Sequence, residues 1–360
     1  MNISTPKLLF IPVSSAEGMG EYMRSLIIAD EVKRRRPDAH ICFILSRHAP
    51  YASTCHHPVK LIDDTPTKRV KEVNLLMSDF LPDVVLFDAS GRRSQLEHAQ
   101  QLGAKVIFLS QHKRKRSRGM RIRRAIMTDS HWVVQPKFMI SPINWFDKLK
   151  LKLINRMEPI VTGPIFINPN KTKKNEQLSK YQLIENEYLI FNAGSGGHQL
   201  NKGYAADELA LAAKQIYAQT QLPCLMVFGD NYPKKLPCYE GVISVKSMQH
   251  GDFINLLSAA KAAVLSGGDT LLQAIALKKP VLTVAVSKDQ HYRLNVCKVH
   301  DLAVASECNV ESIVDGTIRL IKVERLNKQH QSLSLCECVN GLDIGLKEIE
   351  RLLGEKLGTT

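Results

Sequence analysis

Three short glycine-bearing stretches of this chain have residue types suited to holding a phosphate group. Ser266-Gly267-Gly268-Asp269-Thr270 lies between a compact apolar run, 262–265, and a stretch of helical character, 271–277. Ala193-Gly194-Ser195-Gly196-Gly197-His198 follows the apolar run 188–192 and precedes a helix at about 205–220. A third turn, 14–20, contains Gly18 and Gly20 and follows the apolar run 7–13. Glycine tolerates positive φ and lets a ligand approach the backbone, while a helix N-terminus presents unpaired N–H groups to an anion. Asp269 and Thr270 can cap the helix that begins beside them. Such turns also serve as plain strand-to-helix connections, so each motif alone leaves both readings open.

The elements that must position these turns alternate regularly. Apolar runs of strand length occur at 7–13, 40–45, 59–62, 84–87, 105–109 and 132–135, with helical patterns at 21–36, 70–80 and 95–102. The second half repeats the alternation, with strands at 188–192, 224–228, 242–245, 262–265, 281–286 and 302–305 and helices at 205–220, 253–260 and 271–277. Such alternation predicts an α/β fold with parallel sheets covered by helices on both faces. A length of 360 residues exceeds one typical core and predicts two domains. The boundary is expected at the Val161-Thr162-Gly163-Pro164-Ile165 crossover, giving domains 1–163 and 164–343. The polar run 168–176 reads as a surface loop. A terminal helix over 344–357 has Leu346, Ile349, Leu352 and Leu353 as its apolar side and is placed to pack back on the first domain.

The net charge of +14 favours an anionic partner. Two stretches concentrate it. Lys113–Arg124 carries eight cations and no acid, and Trp145–Met157 interleaves Trp145, Phe146, Leu149, Leu151, Leu153, Ile154 and Met157 with Lys148, Lys150, Lys152 and Arg156. Bulky apolar residues among cations suit an anionic membrane surface, and a solvated charged face has the same composition. Nucleic acid is disfavoured, because no RNP, KH or zinc-finger signature accompanies the charge. No window is long and apolar enough for a membrane span, and the N-terminal run is short for a signal-peptide core. The eight cysteines are scattered without a CxxC pair, so neither a zinc site nor a disulfide framework is expected. The expected location is the cytoplasm, in contact with the inner face of a membrane if the basic and apolar stretches serve that purpose.

With these residues in place, the second half resembles the GT-B glycosyltransferases. Ser266-Gly267-Gly268-Asp269-Thr270 to Pro280, then Asp289-Gln290 and Asn295, is similar to their donor-site signature. The nearest type is glycosyltransferase family 28, which includes the lipid-linked peptidoglycan N-acetylglucosaminyltransferase. The turn Gly18-Met19-Gly20-Glu21-Tyr22-Met23-Arg24 resembles the GxGH turn of that family. It also resembles the corresponding turn of the UDP-sugar hydrolases of pseudaminic acid biosynthesis. The resemblance implies two facing Rossmann-like domains with an interdomain cleft, a UDP-sugar held mainly by the C-terminal domain and an acceptor held by the other. Gly18 and Gly20 would lie on the acceptor side. Gly194, Ser195, Gly196 and Gly197 would line the diphosphate, with His198 able to donate to a phosphate. Met248 falls where the family presents an apolar residue and backbone to uracil. Ser266, Gly267, Gly268, Asp269 and Thr270 would surround the phosphates, and Asp289 and Gln290 match the pair that contacts sugar hydroxyls.

Two positions depart from the pattern. Gln273 stands where many members place a glutamate on the ribose, which forfeits a charge-assisted bond. Glu21 stands where the hydrolases and several transferases place a histidine. A carboxylate there can serve as the base that deprotonates an acceptor, and an acid in a first helical turn can equally complement the helix dipole. Glu17, Asp88 and His198 are the other acid–base candidates. No DxD-type metal pair occurs in a suitable loop, since Asp63-Asp64 reads as the start of a turn, and no cofactor or metal is expected. Three functions fit these residues: inverting sugar transfer from a UDP-sugar to an acceptor such as a lipid-linked sugar, hydrolysis of a nucleotide-sugar, and non-catalytic binding of a nucleotide-sugar or an anionic surface.

Overall fold

The computed structural model describes residues 5–14, 19–288 and 290–354. The chain divides into two compact units, Met1–Ile165 with Gly341–Thr360, and Phe166–Asn340.

The first unit is built on a parallel sheet of seven strands: β1 (Lys7–Pro12), β2 (His40–Ser46), β3 (Val59–Ile62), β4 (Val84–Asp88), β5 (Lys105–Ser110), β6 (Ser130–Val133) and β7 (Ile160–Val161). Their spatial order is β3-β2-β1-β4-β5-β6-β7. The inner strands are near-continuous apolar runs because helices bury both faces of a parallel sheet. Leu8, Leu9, Phe10 and Ile11 are wholly buried, as are Val84, Val85 and Phe87 on the neighbouring β4. The Leu342–Leu353 helix belongs to this unit. It is tied there by Arg35 to Asp343 at 2.9 Å and by Ser130 Oγ donating to Glu348 at 2.8 Å.

The second unit holds β8 (Leu189–Asn192), β9 (Cys224–Val227), β10 (Val242–Val245), β11 (Ala262–Ser266), β12 (Val281–Val284) and β13 (Val304–Ser306). They pair in parallel in the order β10-β9-β8-β11-β12-β13. The Ala205–Thr220 helix packs an alanine-rich face, Ala205, Ala206, Ala210, Ala212 and Ala213, into the core beside Leu209 and Ile216. Small side chains allow the helix to lie close to the sheet.

Several local expectations are corrected. The segment read as a loop over 168–176 forms most of the Lys171–Lys180 helix, started by Asn170, whose side chain accepts the Lys173 N–H at 3.0 Å. Strand β6 begins two residues before the expected 132–135 run, and a further short strand, β7, lies where only a crossover was expected. Asp269 does not cap its helix. It is the first helical residue, Gly268 occupies the N-cap, and no side chain closes that end. The Val310–Leu320 and Val323–Leu335 helices follow β13 without having been anticipated. All eight cysteines are free thiols. No helix among the described residues is long and apolar enough to cross a membrane.

Candidate functional site

In the second unit the chain enters the sheet at β8, moves outward to β9 and β10, and returns on the other side as β11. The switch in direction therefore lies between β8 and β11, and ligands of open α/β sheets bind beyond the carboxyl ends of strands at such a point. Both glycine turns of this unit start there. Asn192, at the end of β8, accepts the Gly194 N–H at 3.0 Å and donates to the Val227 carbonyl at 3.0 Å. Gly194 and Gly196 take φ of 80° and 85°, the left-handed region that favours glycine. A Cβ on Gly196 would collide with the Phe228 carbonyl oxygen, and one on Gly194 would stand 3.2 Å from Ser266 Oγ, so the two turns touch. The Ser195 carbonyl accepts the Asn231 N–H at 2.9 Å. The Ser195 hydroxyl is buried and has no hydrogen-bond partner among the described residues. Gly197 is exposed beside Asn231, and the half-buried His198 accepts the Ala205 N–H on its carbonyl at 3.0 Å.

The second turn is clamped from the Gln290–Val299 helix. Gln290 Oε1 accepts the N–H of Gly267 at 3.1 Å and that of Val286 at 3.0 Å. One helical turn later, Arg293 donates to the Gly267 carbonyl at 2.9 Å and lies 3.3 Å from Asp269 Oδ1. Leu294 fills the space where a Cβ on Gly267 would sit. The acceptor end of Gln290 is thus committed to shaping the turn, which differs from the sugar-contacting role its sequence position implies. Arg293 brings a cation to the same turn. The sequence reading missed it, although its spacing of three from Gln290 on a helix was a usable signal.

Ser266 is buried and Thr270 half-buried in this turn. Gln273, also on the Asp269–Ala276 helix, is buried. Met248 lies half-buried beyond the end of β10. Two residues on, burial pushes the His250 imidazole down to about 4, and its Nε2 is enclosed without a partner among the described residues. Asp289 and Gly18 lie outside the described residues.

The first unit has its own switch point, between β1 and β4. Gly20 and Glu21 open the Gly20–Arg35 helix there, and Tyr22 donates its N–H to Ser14 Oγ at 2.9 Å. Glu21 is 3.9 Å from Lys115 Nζ. Arg24, one turn on, makes two parallel bonds to Asp88 at the end of β4, of 2.8 and 2.9 Å, and both side chains are buried. Burial lifts the Asp88 carboxyl to about 6 against the pull of the Arg24 guanidinium, with the nearby Glu21 charge adding to the rise. Glu21 and Asp88 therefore share one neighbourhood with two cations.

The basic stretch folds as two short helices, Lys113–Gly119 and Ile122–Ala125. Arg116 is buried, with its Nε unpartnered among the described residues. Arg124 donates to the Gly91 carbonyl and lies 5.1 Å over the Phe108 ring. Burial, with Arg118, Arg92 and Arg121 nearby, draws the Arg124 guanidinium down to about 10. On the adjoining Trp145–Leu153 helix only Leu151 is buried, while Trp145, Phe146, Leu149 and Leu153 are exposed to 64%, 60%, 45% and 76%. The Trp145 and Phe146 rings stack at 3.7 Å on this apolar face.

No protein-family model matches the chain, and no curated protein matches it. Solved structures do. The calicheamicin glycosyltransferase CalG4 superposes with a TM-score of 0.62 at 14% identity, covering 98% of this chain and 99% of its own. LpCGTa, solved in complex with UDP, gives 0.62 at 12% identity over 98% of this chain and 99% of its own. A putative UDP-N-acetylglucosamine 2-epimerase from Listeria monocytogenes gives 0.55 at 13% identity over 96% of both chains. At these identities the likeness is one of fold, and the fold is GT-B.

Proposed function

We propose that the chain is a glycosyltransferase that moves a sugar from a UDP-sugar to an acceptor by inverting displacement. The observation that carries this reading is the meeting of two glycine turns at the β8–β11 switch point, with the unpartnered Ser195 hydroxyl in one and Arg293 against the other. Ser195, Gly196 and Gly197 would hold the diphosphate from one side, and Gly268, Asp269 and Thr270 from the other, while Gly194 and Gly267, whose N–H groups are taken by Asn192 and by Gln290 with Val284, would line the site and shape the two turns. The open N-terminus of the Asp269–Ala276 helix and the Arg293 cation would stabilise the charge of the departing UDP, a role that is usually a large contribution. Gln273 would meet the ribose through its amide. Met248, with His250 beside it, would meet the base. Asp289 is assigned to the sugar hydroxyls, and Gln290 would act through the turn it holds.

In this reading the acceptor hydroxyl attacks the anomeric carbon, its proton passes to Glu21, and the bond from that carbon to the diphosphate oxygen breaks. A donor site built from backbone N–H groups and an arginine neutralises the leaving group without calling on a bound metal. The exposed apolar face of the Trp145–Leu153 helix, together with the cations of the Lys113–Arg124 stretch, supports an acceptor presented at an anionic membrane, such as a lipid-linked sugar.

The likeness to the Listeria protein favours a second reading, epimerisation of a UDP-linked sugar. Incubating the full chain with a panel of UDP-sugars, with and without vesicles carrying lipid-linked sugar acceptors, separates the possibilities. Transfer predicts acceptor-dependent UDP release with the sugar recovered on the lipid. Free sugar released at the same rate without acceptor would indicate hydrolysis, and a changed sugar still attached to UDP would indicate epimerisation.

A further inference from the structure

Away from both glycine turns of the second unit, one cluster in the first unit has the composition and convergence of a metal site. Asp30 lies in the third turn of the Gly20–Arg35 helix, and His56 and His57 lie in the connection between β2 and β3. Asp30 Oδ1 is 2.6 Å from His56 Nε2 and 2.7 Å from His57 Nε2, and the three atoms lie within 4.8 Å of one another. Two ring nitrogens thus aim at one carboxylate oxygen. The His57 side chain is 9% exposed and its ring stacks on buried Phe43 at 5.8 Å, which fixes its direction. His56 is 58% exposed, with its ring centroid 4.6 Å from that of His57. The cluster therefore has one anchored ligand, one adjustable ligand and an open side facing solvent.

We propose that Asp30, His56 and His57 form a binding site for a divalent transition-metal ion of the zinc class, with water completing its coordination. Two imidazoles and one carboxylate suit zinc and its neighbours, whereas magnesium and calcium prefer oxygen ligands alone. Around a tetrahedral zinc, ligand atoms stand roughly 3.3 Å apart. Metal entry therefore requires both nitrogens to stand off from Asp30 Oδ1 by roughly 0.6–0.7 Å, which rotation of the exposed His56 ring supplies on one side and a shift of the partly exposed Asp30 carboxylate supplies against the anchored His57.

The position implies a structural ion and not a catalytic one. Asp30 is nine residues beyond Glu21 on one helix, about 14 Å along its axis. His57 precedes the start of β3, so the cluster sits toward the amino edge of the parallel sheet, opposite the β1–β4 switch point. An ion there would pin the connection between β2 and β3 to the helix. That connection carries Tyr51, whose hydroxyl accepts the Ser14 N–H at 3.3 Å and whose ring stacks on Tyr22 at 4.3 Å. The clip would thereby steady Ser14 and Tyr22, and with Tyr22 the start of the helix that carries Glu21.

The test uses the full chain without a polyhistidine tag, stripped with a chelator and then titrated with Zn2+ against a chromophoric competitor, and separately with Co2+. The proposal expects saturable binding of a single ion per chain, a visible Co2+ absorption of tetrahedral type, and a Tm that rises with added Zn2+. His56→Ala, which removes an exposed ring, and Asp30→Asn, which keeps the shape of the side chain, should each abolish all three. Failure of the wild-type chain to bind Zn2+ stoichiometrically would overturn the proposal. So would binding that persists unchanged in both variants.

Discussion

The Gln290 side-chain oxygen accepts the Gly267 N–H at 3.1 Å, and Arg293 grips the carbonyl of the same glycine at 2.9 Å. One helix thus holds both polar groups of one glycine in the β11 turn. The geometry of that turn depends on residues more than twenty positions away, and a change in the Gln290–Val299 helix will reach the backbone proposed to face the phosphates.

Replacing Gln290 by alanine leaves the Val286 N–H without its acceptor, while Gly267 keeps a second acceptor, the Val284 carbonyl at 2.9 Å. Loss of a buried acceptor costs about 1–3 kcal/mol. Gln290→Ala should therefore lower the unfolding free energy measured by urea denaturation by that amount, and Gln290→Glu, which retains an acceptor oxygen, should cost less. Equal stability of Gln290→Ala and wild type would show that the clamp carries no weight.

The Arg24–Asp88 pair is buried and doubly bonded. Removing one partner of such a pair strands the other charge and costs about 3–5 kcal/mol. Asp88→Ala should show this loss in chemical denaturation. The double change Arg24→Met with Asp88→Ala should recover part of it, because no charge is then left buried alone. A double variant no more stable than Asp88→Ala would argue against this account.

His131 is held neutral. Burial, then the charges of Arg116 and Arg124, push its imidazole down to about 3, and its Nε2 pairs with Ser110 Oγ at 2.9 Å. An unfolded histidine titrates near 6.5. As pH falls below about 6.5 the unfolded chain takes up a proton that the folded chain refuses until about 3, so stability present at neutral pH is lost across that interval. His250, pushed down to about 4, acts in the same sense. Asp88, raised to about 6, acts in the opposite sense, since its contribution is present at low pH and is lost as pH rises through that value. The fall in unfolding free energy between pH 7 and pH 4.5 should therefore be smaller in His131→Gln than in wild type. An unchanged slope would mean that His131 is not the dominant proton-linked group.

The exposed Trp145–Leu153 face predicts sedimentation with anionic vesicles that weakens as salt is raised. Trp145→Ser with Phe146→Ser should leave Tm unchanged, because both rings are exposed. It should reduce vesicle binding at least about tenfold if the rings insert, since burying each is worth roughly 1.5–3 kcal/mol. Wild-type binding that survives both substitutions, or that never occurs, would assign this face another role.

The glycine turns and the strand–helix alternation were legible in the sequence because both are local. An apolar run, two glycines and a helical pattern within twenty residues leave few alternatives. The Lys171–Lys180 helix was not legible, because Leu178 is its only buried residue and hydrophobic periodicity has nothing to register. Its one signal was Asn170 as a cap. Gln290 shows a different limit: sequence places it near the Gly267 turn but cannot say whether its amide faces a ligand or the backbone. The pairs that organise the first unit are separated by long stretches of chain, Arg24 from Asp88 by 64 positions and Asp30 from His56 by 26. No local pattern carries that information, and for the same reason no spacing rule pointed to His56 and His57 as ligands.

The central claim is that the second unit binds the UDP part of a donor on the two glycine turns. Isothermal titration of the full chain with UDP tests it most directly, alongside Ser195→Ala and Gly196→Ala, each confirmed folded by circular dichroism. Ser195→Ala removes the unpartnered hydroxyl. Gly196→Ala places a Cβ against the Phe228 carbonyl at a φ of 85°. The account predicts saturable UDP binding by wild type, weaker binding by Ser195→Ala and none measurable by Gly196→Ala. Absence of UDP binding by wild type, or equal affinity in all three proteins, would contradict it.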